Sequence, residues 1–234
     1  MTTIPAEPLV IAIDGPSGSG KSSVSRAVAR SLGVGYLDTG AMYRALTWWC
    51  LERGIDLTDQ DAVARASREL PLELGTDPAS PGVTVDGTAI DTAIRESRIS
   101  EAVSHVATNL QVRADMQHRQ RALIARIALA QGGVVAEGRD ITTVVAPDAE
   151  VRVLLTASEE ARLARRSKEL HGDAGAAAVE ATRAQVVHRD ARDSTVSQFI
   201  VAADGVTTVD TSDLDFEQSV EAVLAVVAAR GERV

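Results

Sequence analysis

An uninterrupted apolar run, Leu9-Val10-Ile11-Ala12-Ile13, leads almost directly into Gly15-Pro16-Ser17-Gly18-Ser19-Gly20-Lys21-Ser22. The run reads as a buried strand. Beyond Lys21, Val24, Ala27, Val28 and Leu32 recur at helical spacing, and Gly33 ends the pattern. Strand, glycine loop and helix in that order form the setting in which GxxxxGK[ST] cradles a phosphate chain. Glycines let the backbone curl so that successive N–H groups point inward, and the helix start adds a positive end. Lys21 is placed to reach the β- and γ-phosphates, and Ser22 to set its hydroxyl on Mg²⁺. Gly15, Pro16, Ser17, Gly18, Ser19, Gly20, Lys21, Ser22 and Ser23 are therefore expected to bind a nucleoside triphosphate, ATP first, with Ser22 as the metal ligand.

A strand followed by such a loop belongs to an α/β fold, and the rest of the chain agrees. Val34 to Leu37 suggests a second strand, with Asp38-Thr39-Gly40 turning into a helix that carries Tyr43 and Arg44. Asp61 to Leu70 has helical texture. Pro, Gly, Asp and Thr then separate short apolar runs up to Ile94, and Asp86-Gly87 is a hairpin-turn signal. A small β-rich insertion is expected there, bounded roughly by residues 65 and 105. A long helix follows and stops at Gly132-Gly133. Val134-Val135-Ala136 and Val151 to Leu155 read as core strands, nearly continuous in apolar residues as parallel strands covered on both faces are. Glu159 to Leu170 predicts a basic helix, His171 to Ala177 a mobile tip, and Val179 to Arg192 another helix. Phe216, Val220, Val223, Leu224 and Val227 mark the last helix, and Met1 to Pro8 are expected to be loose.

Composition narrows the classes. The chain has 234 residues, enough for one α/β domain with an insertion. Aromatics are 3%, so Val, Ala, Leu and Ile must fill the core. Lys and Arg number 24 against 33 Asp and Glu, a formal charge of -9, which argues against a nucleic-acid surface. A local arginine cluster can still hold a small anion. Cys50, the only cysteine, excludes an internal disulfide and a cysteine-rich zinc site, and reads as an inert buried thiol. With no signal-peptide pattern and no run of membrane-spanning length, a cytoplasmic, monomeric enzyme is the simplest expectation.

Open α/β sheets bind ligands at the carboxyl ends of their strands. That rim is expected to gather the glycine loop, Asp38 and Arg139-Asp140. Arg139 offers a fork for phosphate or carboxylate, and Asp140 an acceptor for a base or sugar donor. Arg162, Arg165 and Arg166 share a helix and read either as a solvated face or as a lid over ATP. Arg189, Asp190, Arg192 and Asp193 alternate in sign and read either as a helix-end ion network or as groups meeting phosphate and sugar.

These residues extend into longer matches: Leu37-Asp38-Thr39-Gly40-Ala41-Met42-Tyr43-Arg44, Glu137-Gly138-Arg139-Asp140-Ile141-Thr142-Thr143-Val144-Val145, Pro147-Asp148-Ala149 and Arg189-Asp190 with Asp193-Ser194-Thr195. With them the chain resembles the bacterial cytidylate kinases, a branch of the nucleoside monophosphate kinases, from about Leu9 to the last helix. The resemblance implies a P-loop kinase with a parallel core sheet flanked by helices, a β-rich monophosphate-binding insertion and a short helical lid. It assigns residues 1–64 and 106–234 to the core, with a lid over about 158–178, and 65–105 to the insertion. It implies transfer of the ATP γ-phosphoryl group to CMP or dCMP, with Mg²⁺, in pyrimidine nucleotide metabolism.

By the same resemblance, Ser104, Arg113, Arg139 and Asp140 recognise the cytosine ring and position the monophosphate. Arg44 and Arg139 hold its phosphate, with Thr39 beside it. Arg189 and Asp193 lie over phosphate and pentose, and Arg162 and Arg166 belong to the lid. Lys21, Arg139, Arg162, Arg166 and Arg189 carry the charge of transfer. The family pattern continues Asp-Ser-Thr-Arg, whereas here Val196 follows Asp193-Ser194-Thr195, so one guanidinium is missing. A weakened but active kinase is the expectation, with another nucleoside monophosphate kinase or an ATP-binding regulatory protein as the alternatives.

Overall fold

The computed structural model describes residues 8–171 and 176–231. Residues 1–7 and 172–175, on which most of the loose amino terminus and the centre of the mobile tip were expected, lie outside them.

β1 (Leu9–Asp14) is the middle strand of a five-stranded sheet. β2 (Gly35–Asp38) and β6 (Gly133–Gly138) lie on one side of it, β7 (Val151–Thr156) and β8 (Thr207–Asp210) on the other, in the order β2-β6-β1-β7-β8 with every pairing parallel. Alternation along the strands divides the core. Ile11, Ile13, Val135, Val153 and Leu155 face one way, with α1 (Lys21–Leu32) and α8 (Phe216–Gly231) over them. Ala12, Leu37, Val134 and Ala136 face the other way, toward α5 (Leu110–Gln131). Both faces are covered, which is why the strands read as continuous apolar runs.

β8 gave no such run. It is an edge strand with Val209 its one buried side chain, so Thr207-Thr208-Val209-Asp210 carries almost no apolar signal. Glu137 and Gly138 belong to β6 itself and are buried, one strand turn further than the apolar pattern indicated.

Between β2 and β6 the chain builds a second core. α2 (Thr39–Glu52), α3 (Gln60–Glu69), α4 (Ser97–Ala107) and α5 enclose Met42, Leu46, Cys50, Val103 and Met116, with Trp48 and Trp49 packed at the margin. Burial pushes the Cys50 thiol up to about 11, which keeps it protonated and unreactive. β3 (Leu72–Leu74), β4 (Val83–Val85) and β5 (Thr88–Ala89) form an antiparallel sheet within the expected insertion. Asp86 and Gly87 join β4 to β5 with φ of 49° and 73°, the double left-handed turn that the dipeptide signals. The insertion is β-rich only in its first half. From Ala93 onward it is helical, because Ile94, Val103 and Val106 turn inward onto the same cluster.

α6 (Glu159–His171) and α7 (Ala176–Asp193) form the remaining pair. Among the described residues no helix is long and apolar enough to cross a membrane. The turn after β1 is fixed by close backbone contact: a Cβ on Gly15 would lie 2.2 Å from the carbonyl oxygen of Leu155 on β7. Neither atom has a flexible side chain through which to yield. Gly15→Ala should destabilise the fold by about 2–3 kcal/mol, seen as a Tm lower by roughly 5–10 °C in thermal unfolding.

Candidate active site

β1 lies at the point where successive strands leave in opposite directions, and the crevice outside its carboxyl end is open to a ligand. A cleft of about 460 Å³ lies there. Its floor is the glycine loop. Gly18 and Gly20 adopt φ of 78° and 84°, which side chains resist, and Gly20 caps α1. Pro16 through Ser23 line the cleft, and Gly15 sits beneath them against Leu155. Ser22, in the first turn of α1, lines it too. A hydroxyl beside a phosphate cradle fits a hard cation whose other ligands are phosphate oxygens and water.

Lys21 extends to the end of β6, where its ammonium lies 3.1 Å from the buried carboxylate of Glu137. Glu137 also accepts a 2.5 Å hydrogen bond from the Tyr36 hydroxyl. Neighbouring Asp38, the N-cap of α2, is raised above the usual carboxylate range by burial and then by the Glu137 charge. The phosphate-loop lysine therefore has an acidic partner, and its position is set before an anion arrives.

Asp14, at the end of β1, accepts from the backbone N–H groups of Ile141 and Thr142 and from the Thr142 hydroxyl. It ties the strand under the glycine loop to the short π-helical turn Ile141–Val145, and so fixes the segment that begins at Arg139-Asp140. Asp140 is buried and held by Arg113 at 2.6 Å and Gln117 at 3.0 Å. Thr39 donates to the Glu137 carbonyl at 2.7 Å. Arg44 donates to the Ile94 carbonyl and the Ser100 hydroxyl, which aims it along the insertion side of the cleft.

Arg139 joins four side chains. It pairs with Asp193, meets Asp190 at 3.0 Å and the Ser17 hydroxyl at 2.7 Å, and its plane stacks 4.5 Å above the Phe199 ring. Asp193 also accepts from Ser104 at 2.9 Å. Arg189 is held 3.7 Å from Asp193, and its Nε makes no hydrogen bond among the described residues. Burial, followed by the positive charges of Arg44 and Arg139, lowers the Arg189 pKa well below its ordinary value. Arginine keeps its proton all the same.

Most residues expected at the site meet here. Lys21, Thr39, Arg44, Arg113, Arg139, Asp140, Arg166, Arg189 and Asp193 all border the cleft. Ser104 reaches it through Asp193, and Arg162 through the Ser17 carbonyl and Asp190. The helix face expected for three arginines divides. Arg165 does not line the cleft; it donates to the Ser19 carbonyl beneath the loop, to Thr211 and to the Leu214 carbonyl, and so ties α6 and the glycine loop to the turn between β8 and α8. Arg192 is exposed, whereas Arg189, Asp190 and Asp193 point inward. Asp38 was expected on this rim without a stated role, whereas Asp14, Glu137 and Phe199 carry no local signal of one. Apart from the N-cap made by Asp38, their contacts are with residues distant in the chain.

The cytidylate kinase family model matches residues 11–229. The chain belongs to the cytidylate kinase family. A cytidylate kinase of Streptomyces avermitilis is 48% identical over 226 residues, covering 96% of this chain and 94% of that one. One of Rhodococcus opacus is 46% identical over 224 residues, covering 95% and 96%. Among solved structures, a gluconokinase from Sinorhizobium meliloti aligns over 97% of this chain and 96% of its own with a TM-score of 0.50 at 16% identity, a likeness of fold. In this family setting the parallel sheet, glycine loop and arginine-lined cleft are parts of an ATP-dependent phosphotransferase.

Burial pushes the Asp14 carboxyl up to about 6, against 3.8 ordinarily, although its three hydrogen bonds oppose that shift. The native state therefore binds a proton that the unfolded chain releases between those two values. Stability from this group falls as pH rises through that window, by about 3 kcal/mol. Carboxyl-carbon NMR should find Asp14 titrating near 6, and a midpoint near 4 would contradict the burial argument.

Proposed function

We propose that this chain transfers the γ-phosphoryl group of ATP to CMP or dCMP, giving ADP and CDP or dCDP. The observation that carries the reading is one continuous cleft, with the phosphate loop at one end and Arg44, Arg113, Arg139, Asp140 and Arg189 at the other. An ATPase needs only the first end. Two anionic substrates meeting head to head need both.

In this reading the loop amides and Lys21 hold the ATP phosphates. Arg44, Arg139 and Arg189 hold the acceptor phosphate, and Arg162 and Arg166 approach from α6. A nucleoside monophosphate has its second ionisation near neutral pH, so its oxygen attacks the γ-phosphorus in line without a dedicated base. Lys21 and the arginines offset charge on the transferring group. Ser22 would hold Mg²⁺, which supplies neutralisation of the β- and γ-oxygens when bound. Packing of α6 against the loop excludes water that would otherwise compete for the phosphoryl group. The reading includes a monomer acting in the cytoplasm.

Cytosine and uracil differ at one exocyclic position, an amine in one and a carbonyl in the other. Asp140, kept in place by Arg113 and Gln117, accepts from the amine, and a uracil oxygen there would face it without a hydrogen. Asp140→Asn should reduce the ratio of CMP to UMP kcat/KM by about 10- to 100-fold. Equal turnover of the two acceptors by the unaltered chain would remove this account of base choice. Lys21→Ala should lower kcat by about two to three orders of magnitude in a coupled ADP-release assay.

Val196 borders the cleft with an apolar side chain, and its N–H is used by the Asp193 carbonyl. Valine offers no side-chain donor. Val196→Arg should raise kcat/KM for CMP several-fold, and an unchanged value would mean that the neighbouring arginines already supply the contact.

A further inference from the structure

Ser17 sits at the third position of the glycine loop, and all three of its polar groups are taken by one cluster. Its N–H donates to Asp190 Oδ1 at 3.2 Å, its hydroxyl accepts from Arg139 at 2.7 Å, and its carbonyl accepts from Arg162 at 3.0 Å. Asp190 completes the cluster by accepting from Arg139 at 3.0 Å and from Arg162 at 2.5 Å. Its carboxylate is buried, and it is bound by a loop amide and two forked cations. That is the donor set a phosphoryl group takes from proteins: backbone N–H groups of a curled loop and guanidinium forks. The carboxylate also joins α7, where it originates, to the loop after β1 and to α6.

We propose that Asp190 is an internal anion that occupies the phosphoryl-binding arginines before substrate arrives and is displaced from Arg162 when the triphosphate binds. It is a positioning residue, since it acts through Arg139 and Arg162. The proposal rests on the phosphotransferase reading above. Two properties follow from charge. Without an anion, Arg139, Arg162 and Arg189 would repel one another in a poorly solvated cleft, and Asp190 keeps Arg139 and Arg162 over the loop. With a triphosphate present, the carboxylate competes for the same donors, so it weakens ATP binding while it preserves the geometry that receives it. A purely structural ion pair has the opposite sign, because its loss loosens the site and weakens ATP binding.

Asp190→Asn keeps the size of the side chain and removes its charge. Calorimetric titration with MgATP should give a Kd about 3- to 10-fold lower than for the unaltered chain, while the Kd for adenosine, which has no phosphate, stays the same. A weaker or unchanged MgATP affinity in a variant with unaltered thermal unfolding would overturn the proposal. A second measurement needs no variant. The Asp190 carboxyl-carbon resonance of the unaltered chain should shift on addition of MgATP but not adenosine, and no shift at saturating MgATP would overturn the proposal independently. Failure of the unaltered chain to bind MgATP at all would instead sink the phosphotransferase reading, and this inference with it.

Discussion

Several guanidinium groups must be held close together in a cleft before the anions that they serve are present. Repulsion among them is severe there, because burial removes the water that would screen it. The structure answers with carboxylates placed among the cations: Asp193 for Arg139 and Arg189, Asp190 for Arg139 and Arg162, Asp140 for Arg113, and Glu137 for Lys21. Each acid comes from a different chain segment than most of its partners. The charge network is therefore also the tie between the sheet, α6, α7 and the helices between β2 and β6, and the site and the fold share one set of interactions.

The backbone frame beneath that network is stiffer. Gly15 has no room for a side chain against Leu155, Gly18 has none against the Arg162 backbone, and Asp14 bonds the turn at the end of β6. The glycine loop is thus confined on two sides by main-chain atoms and beneath by a buried carboxylate. A loop confined in this way presents its amides in one arrangement. The flexible components are long side chains, which can exchange one anion for another while the backbone stays in place.

Much of this was legible in the sequence because the signals were local. The strand, loop and helix from Leu9 to Leu32 follow from apolar spacing and glycine placement alone, and so do the Asp86-Gly87 hairpin and the stop at Gly132, which adopts a left-handed φ. Parallel strands buried on both faces announce themselves as apolar runs. β8 did not, because an edge strand needs only one buried residue, and the helical half of the insertion was hidden by the turn-rich half before it. At the site, arginines stood out as residue types but not by direction. Arg165 and Arg166 are neighbours in sequence, yet one bonds the turn between β8 and α8 and the other borders the cleft. Which side an arginine takes depends on distant backbone carbonyls that no local pattern records.

The same limit explains why acidic partners were harder to read than basic ones. A cluster of arginines beside a glycine loop has an obvious use in binding phosphate. An aspartate beside those arginines reads as a surface pair unless its third contact is known. For Asp190 that contact is the Ser17 amide, 173 residues away in the chain. With that contact in view, the carboxylate is also a ligand of the glycine loop, since it takes up one of the loop's backbone donors. An enzyme that binds two polyanions in one cleft has reason to keep such a competitor. Without it the empty site would either splay apart or capture any phosphate in solution, and in both cases the arginines would be lost to the reaction they are arranged to serve.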